Sequence, residues 1–474
     1  MGRRKEVIVR GVSVPKSTIE WLGEPLLYKQ AHFLSMLSRH IIQRSSEYKA
    51  HFYKPIDFIY LKHHYGDNYL AKVITPLVAN EWIEVDHKYS ADGHKCKGYR
   101  LTQTLRKEVM DLGLDTVKIH KATFIKRIDA WNTKRTRRQL LEHPFLLREA
   151  EALASLPLCL NSLKHIYEGL LLDEKNTPDT YSNVKSTNIA QLYSYWKQIQ
   201  MLGKATEPMD TGIYYKLGRV YHPLVLSRRR FRDAVLDDNG NPFTEVDLRA
   251  SQAVFLCKVM TIAFDLGLMK MYRDKAPVFA DNLIETLTEH INSPCDIFNK
   301  KGKPTDFMAF CSAVIHDDLY EDVSPKHLKP SSMRIAGAAN LSPEERKGAK
   351  EKFFKDIFFY RFKHENSRKT EELSISSEYL QSFNDMYPSV FWFCKECARQ
   401  SKEYKSSRDL SLLLQAAEGS FFHKALIDAI YKTAEIPFFI VHDAIYVADK
   451  HKDLVITTAN EVAIKELGAS PKFR

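Results

Sequence analysis

The stretch Ile436-Pro437-Phe438-Phe439-Ile440-Val441-His442-Asp443-Ala444-Ile445-Tyr446-Val447 decides how the C-terminal half of this chain folds. An apolar run, a polar pair and a second run rich in β-branched and aromatic residues predict a β-hairpin that turns at His442-Asp443. Such a turn exposes one carboxylate at the tip of a buried hairpin. A carboxylate held on a rigid element suits metal-assisted chemistry better than one on a mobile loop. Asp is also simply a good turn residue, so the hairpin acquires meaning from what precedes it.

Working upstream, the segment Leu412–Lys432 reads as a helix that leads directly into the hairpin, with Gln415 and Glu418 early in it. Further back, Ser342-Pro343-Glu344-Glu345 is a strong helix start: a Ser cap, Pro at the first position and Glu at the third. Arg346, Lys350, Phe354 and Phe358 follow at four-residue spacing, which puts them on one helix face. Two cations followed by two rings suit a triphosphate, base and sugar; a solvated basic helix end over aromatic core residues has the same pattern. Earlier still, the turn cluster Asp237-Asp238-Asn239-Gly240-Asn241-Pro242 feeds the strand Phe243-Thr244-Glu245-Val246-Asp247-Leu248. Asp247 closes that strand, and an apolar helix continues from Ser251 to Met260. A strand that ends in Asp and passes straight into a helix is a common metal-site geometry, although Asp is equally a good helix N-terminal residue.

Composition bounds the rest. The chain has 474 residues, 44% hydrophobic and 27% charged, as in ordinary globular proteins. No run approaches the length of a membrane span, and the basic N-terminus leads into no signal-peptide core. Seven cysteines make no disulfide framework, and Cys394-Lys395-Glu396-Cys397 is a lone CxxC without a second pair. These features predict a reducing, cytoplasmic setting without a membrane partner. A net charge of +11, with pI near 9.0, favours a polyanionic partner. Local clusters at Lys134-Arg135-Thr136-Arg137-Arg138, Arg228-Arg229-Arg230 and Lys300-Lys301-Gly302-Lys303 agree with it.

Residues 1–30 form an N-terminal segment of mixed character, and 31–115 predict a winged helix-turn-helix. Gln30–Gln43 and Asp57–His64 are helix-like. Asn68–Asn80 carries apolar residues at helical period, with Pro76 set to kink or shorten it. Strands at Trp82–Asp86 and Lys97–Thr102 flank the polar loop Ser90–Lys95, expected as a wing. Such modules put a helix on the duplex and the wing on its backbone, though many bind protein instead. Residues 116–205 are helical by pattern, as a linker or a nucleic-acid-gripping subdomain, and 206–474 carry the chemistry.

The C-terminal order of motifs resembles family A polymerases, the group of DNA polymerase I-type enzymes and single-subunit phage polymerases. Asp247 in Glu-Val-Asp-Leu-Arg-Ala-Ser-Gln is similar to motif A, the Arg346–Phe358 helix to motif B and Val441-His442-Asp443 to motif C. Gly218-Arg219-Val220-Tyr221 and Phe231-Arg232-Asp233-Ala234-Val235 are similar to elements ahead of motif A, and Gln415 to the Gln on the helix before motif C. The resemblance covers roughly residues 210–450. It departs from the family in three places. Ala444 stands where the DNA enzymes carry Glu, the interval from Asp247 to Lys350 is longer than theirs, and Tyr360 replaces a Gly after the motif B rings. A rival Ile315-His316-Asp317-Asp318 precedes motif B and lacks the flanking strand pattern.

The resemblance implies an α+β protein, a right-hand palm and fingers (a thumb-like region at 116–205 before it) behind the winged module. It implies template-directed nucleotidyl transfer, most directly DNA synthesis for a phage, plasmid or other mobile element, with DNA and nucleoside triphosphates as partners. Asp247, Asp443 and the Leu248 carbonyl would hold two Mg²⁺ ions about 4 Å apart, with Mn²⁺ as a substitute. Lys350 and Arg346 would meet the phosphates, and Phe354 and Phe358 the base and sugar. Arg219, Arg232, Gln415 and His442 would lie near primer and template. Gln252, five residues after Asp247, would exclude ribonucleotides by bulk. Two alternatives stand beside this reading: an RNA polymerase or primase of the same fold, and a DNA-binding initiator or regulator with an inactive polymerase-like half.

Overall fold

The structure is a computed structural model that describes residues 10–22, 27–42, 53–86, 97–110, 114–176, 182–216, 218–271, 277–316, 319, 383–403 and 410–474. The expected wing loop, the Arg346–Phe358 helix and Asp317 lie outside the described residues. The chain divides into two units: Met1–Arg138 with Leu158–Gly212 and Leu226–Ala234, and Gln139–Pro157 with Ile213–Val225 and Val235–Arg474. It is a mixed helical and sheet protein in which several small antiparallel sheets are set among longer helices.

In the first unit, β1 (Arg10–Pro15) pairs antiparallel with β5 (Leu114–Ile119) and so brings the N-terminal segment onto the helical module. Between them run helix Tyr28–Ile42, β2 (Lys54–Ile56), helix Phe58–Tyr65, a helical stretch from Leu70, then β3 (Ile83–Asp86), β4 (Lys97–Leu101) and helix Gln103–Met110. The short strand pairs on the far side of the hairpin, in the order β2-β4-β3. Asp57 caps the second helix, accepting from the Ile59 N–H at 2.7 Å. The stretch around Pro76 divides as its sequence predicts. Leu70–Ile74 is a wide π-turn, and Pro76 falls in the first turn of Thr75–Ala79, where its missing N–H does little harm. Phe33, Leu61, Tyr65, Val73, Leu77 and Tyr99 are among the core residues of this unit. Helices Ala122–Glu142, Leu160–Asn176 and Ser182–Leu202 follow.

The second unit is built around one three-stranded antiparallel sheet of β8 (Thr244–Asp247), β11 (Phe438–Val441) and β12 (Ala444–Val447), in the order β11-β12-β8. Every residue of β11 and β12 is buried, which explains their unbroken apolar sequences. The shorter sheets β6–β7 (Tyr214–Lys216, Arg219–Tyr221) and β9–β10 (Met269–Met271, Pro277–Phe279) are two-stranded hairpins. Helix Ser251–Asp265 is apolar on every face but for Lys258, which pairs with Glu466 at 3.9 Å, and it is buried from Ala253 to Ala263. It packs on helix Leu410–Ser420, which runs through a π-turn at Phe421–Leu426 into Ile427–Thr433 and then into β11. Cys394 and Cys397 are buried in helix Pro388–Glu403, where burial pushes both thiols up and away from the thiolate a metal or redox site needs.

Candidate active site

The sheet brings together two aspartates that are far apart in sequence. Asp247 ends β8 and pairs with Ala444, the neighbour of Asp443. The Leu248 N–H donates to the Asp443 carbonyl oxygen at 3.1 Å. Both residues therefore lie at one end of the same sheet, where β8 gives way to a helix and the β11–β12 hairpin turns. Two residues there are left-handed although neither is glycine: His442 has φ 58 and Ala250 has φ 53. A two-residue hairpin loop needs a positive φ at its first position, which accounts for His442. Non-glycine residues in this region are held only by the structure around them.

The last residues of the chain run beside β8. Asp247 and Arg474 exchange backbone hydrogen bonds, 3.1 Å each, and the Arg249 N–H donates to the Lys472 carbonyl at 3.0 Å. The Arg474 Nη2 lies 3.3 Å from Asp247 Oδ2. A carboxylate that attracts a guanidinium in this way marks a site where positive charge is favourable. The donors on offer are oxygens only, which fits a hard divalent cation whose other ligands are water and substrate phosphate. Among the described residues, no group of three or more His, Cys, Asp or Glu is arranged to hold a metal without such help.

A second polar cluster adjoins the start of helix Ser251–Asp265. Glu418 is 2% exposed. Its carboxylate accepts from Gln252 Nε2 at 2.6 Å and Ser251 Oγ at 3.1 Å, and pairs with Arg219 Nη2 at 3.3 Å. Burial pushes the Glu418 carboxyl up, while Arg219, Ser251 and Gln252 pull it back down. Two glycines allow this contact. A Cβ on Gly218 would stand 2.7 Å from the Ala416 backbone N, and one on Gly419 would overlap the Gly218 carbonyl oxygen. Backbone touches backbone there, and Arg219 is delivered onto Glu418 as a result. Gln415, one turn earlier on the same helix, is half-buried; the polar contact with Arg219 and Gln252 is made by Glu418.

Behind the hairpin lies a third cluster that sequence reasoning did not anticipate. Glu149, on helix Leu146–Ala154, accepts from His423 Nδ1 at 2.7 Å, and His222 Nε2 donates to the Ile440 carbonyl of β11 at 2.8 Å. His222 Nε2 is also 3.8 Å from Glu149. All three side chains are buried. Removing one would strand the others without water. No local pattern marks them: Glu149 lies between Arg148 and Glu151, His423 adjoins Lys424, and each partner comes from a distant segment.

The remaining sequence-predicted residues fall as follows. Arg232 sits on the 3-10 turn Arg229–Ala234 of the first unit. Leu248 is buried, bridged to Phe473. Arg346, Lys350, Phe354 and Phe358 are outside the described residues. Of the basic clusters, Lys134, Arg135, Arg137 and Arg138 are exposed. Arg228 and Arg230 instead pair with Glu174 and Asp173, and Lys303 is buried against Asp265 and the Asp296 carbonyl.

No protein-family model matches the chain, and no curated protein resembles it at a significant level. Among solved structures it is similar to the POL domain of Pol1 from M. smegmatis in complex with DNA primer-template and dNTP. The likeness has 10% identity and a TM-score of 0.33, over 78% of this chain and 74% of that one. A score below 0.5 at that identity does not establish a shared fold.

Proposed function

We propose that the chain catalyses template-directed nucleotidyl transfer, most directly DNA synthesis on a primed template. The convergence of Asp247 and Asp443 at one end of a buried sheet carries this reading, since carboxylates held by a strand end and a tight hairpin turn are rigid enough to hold the metal ions of a phosphoryl-transfer centre. Those carboxylates and the Leu248 carbonyl would hold Mg²⁺, or Mn²⁺ in its place; bound there, the ions would supply a lowered pKa for the attacking hydroxyl and charge for the leaving pyrophosphate. Arg346 and Lys350 bind the outer phosphates and Phe354 and Phe358 stack on base and sugar, on the strength of their spacing. Arg219, Arg232, Gln415 and His442 face primer and template, and Gln252 stands against the sugar. The N-terminal module, a winged helix in this reading, docks on duplex DNA together with the exposed cations at 134–138.

Primer extension with Mg²⁺ and dNTPs on a labelled primer–template tests the proposal. Templated growth of the primer is expected. Growth with rNTPs alone, or synthesis without a primer, would make the chain an RNA polymerase or primase. DNA binding with no synthesis under either metal would leave an initiator or regulator.

A further inference from the structure

We propose that Glu418 is a positioning residue that sets the sugar specificity of this site by pinning the Gln252 side chain. The inference rests on the nucleotidyl-transfer reading above and adds to it a residue to which the sequence assigned no role.

A steric wall discriminates only as well as it resists being pushed aside. Gln has three rotatable side-chain bonds, and an untethered one at the start of a helix would swing away from an added hydroxyl at little cost. Here the Gln252 amide is tethered: its Nε2 donates to Glu418 at 2.6 Å, a charge-assisted contact. An ionised carboxylate only accepts hydrogen bonds, so the NH₂ end must face Glu418 and the carbonyl end must turn away from it. Glu418 is itself held by Ser251 at 3.1 Å and Arg219 at 3.3 Å, on a helix crossed at backbone contact by Gly218. The tether is therefore fixed at its far end as well. The Arg219 Nε–H is buried and finds no acceptor among the described residues. An unspent donor beside the cluster is what a site leaves for an incoming polar ligand.

The experiment compares single-nucleotide incorporation of a dNTP and the matched rNTP, as kcat/KM, on one primed DNA template. Wild type, Glu418→Gln, Glu418→Ala, Gln252→Gly and the double variant Glu418→Ala/Gln252→Gly are measured. Wild type is expected to prefer the dNTP. Glu418→Ala should raise relative rNTP use about tenfold, mainly through a lower KM for rNTP. Glu418→Gln, which keeps an acceptor for the Gln252 amide, should stay within about threefold of wild type. The double variant should match Gln252→Gly, because a tether has nothing left to hold. If Glu418→Ala does not fold, Glu418→Asp, with its carboxylate drawn back by one methylene, is read in the same way. The proposal is overturned if the Glu418 variants lower dNTP and rNTP use equally, or if the two substitutions add. A wild type that incorporates neither nucleotide overturns the nucleotidyl-transfer reading and this inference with it. That result is distinguishable because no ratio can then be formed.

Discussion

In the C-terminal unit buried polar side chains form ion-paired and hydrogen-bonded clusters; in the N-terminal unit the buried His32 and His64 sit among aromatic rings, and large apolar side chains stand exposed on two helical segments. Glu149, His222, His423 and Glu418 lie inside the first, hydrogen-bonded to one another or to the strands and helices around them. On the second, Phe58 and Ile59 of one helix are 51% and 54% exposed, and Leu70 and Val78 of the next stretch 44% each. Burying polar groups is costly unless they are partnered, so an interior that carries them has geometry to fix. Single exposed apolar residues, by contrast, are ordinary on a protein surface. The two interiors differ in how they satisfy buried polar groups: ion-paired clusters in one, imidazoles packed among rings in the other. Lys72 is the lone cation on the stretch Leu70–Ala79, whereas Lys126, Arg127, Lys134, Arg135, Arg137 and Arg138 are exposed on helix Ala122–Glu142.

The largest effect that would break this contrast lies at the aspartates. Asp247→Asn or Asp443→Asn is expected to reduce incorporation by at least about a thousandfold, some 4 kcal/mol of transition-state stabilisation. Circular dichroism and DNA binding should be retained. Normal primer extension by Asp443→Asn would remove the hairpin from the active site.

Next in size is the backbone crossing. Gly419→Ala places a methyl group on the Gly218 carbonyl oxygen, and should cost about 2–3 kcal/mol of stability in urea unfolding. Gly169→Ala, also within a helix and meeting nothing within 4 Å, is the control without crowding. Equal losses at both positions would deny the crossing any special tightness.

The N-terminal unit sharpens the comparison through pH. His64 is 1% exposed, stacked on Tyr60 and edge-on to Trp131, and burial lowers its pKa to about 4 from 6.5. A depressed folded-state value means the unfolded chain takes up the proton first. Stability is therefore full above pH 6.5 and is lost as the pH falls towards 4. The loss should amount to about 1–2 kcal/mol after allowing for solvent screening. Melting curves at pH 7 and pH 5 should show a shift that His64→Phe abolishes; an unchanged shift would assign the titration elsewhere.

The smallest effect is on the surface. Lys126, Arg127, Lys134, Arg137 and Arg138 are exposed on helix Ala122–Glu142. Lys134→Gln with Arg137→Gln should weaken duplex binding uniformly across sequences and reduce the salt slope by about 1–2. Phe58→Ser with Val78→Ser should leave that slope unchanged. The reverse result would move phosphate recognition onto the helical module.

Much of the fold was legible in the chain. The hairpin at His442-Asp443, the strand closed by Asp247, the helix after it and the helix–strand order of the N-terminal module follow from periodicity, caps and turn residues, all of which act between near neighbours. Sequence alone also picked out Asp247 and Asp443, because each stands where a strand ends. It did not assign a role to Glu418, Glu149, His222 or His423. None of them stands in a motif, and the partner of each comes from a distant segment. Nor could it show that Gly218 and Gly419 answer each other, since a glycine records only that space is short and not what occupies it. Local order is written in local chemistry. Which buried donor meets which buried acceptor was decided only when distant backbones closed on one another and excluded water from between them.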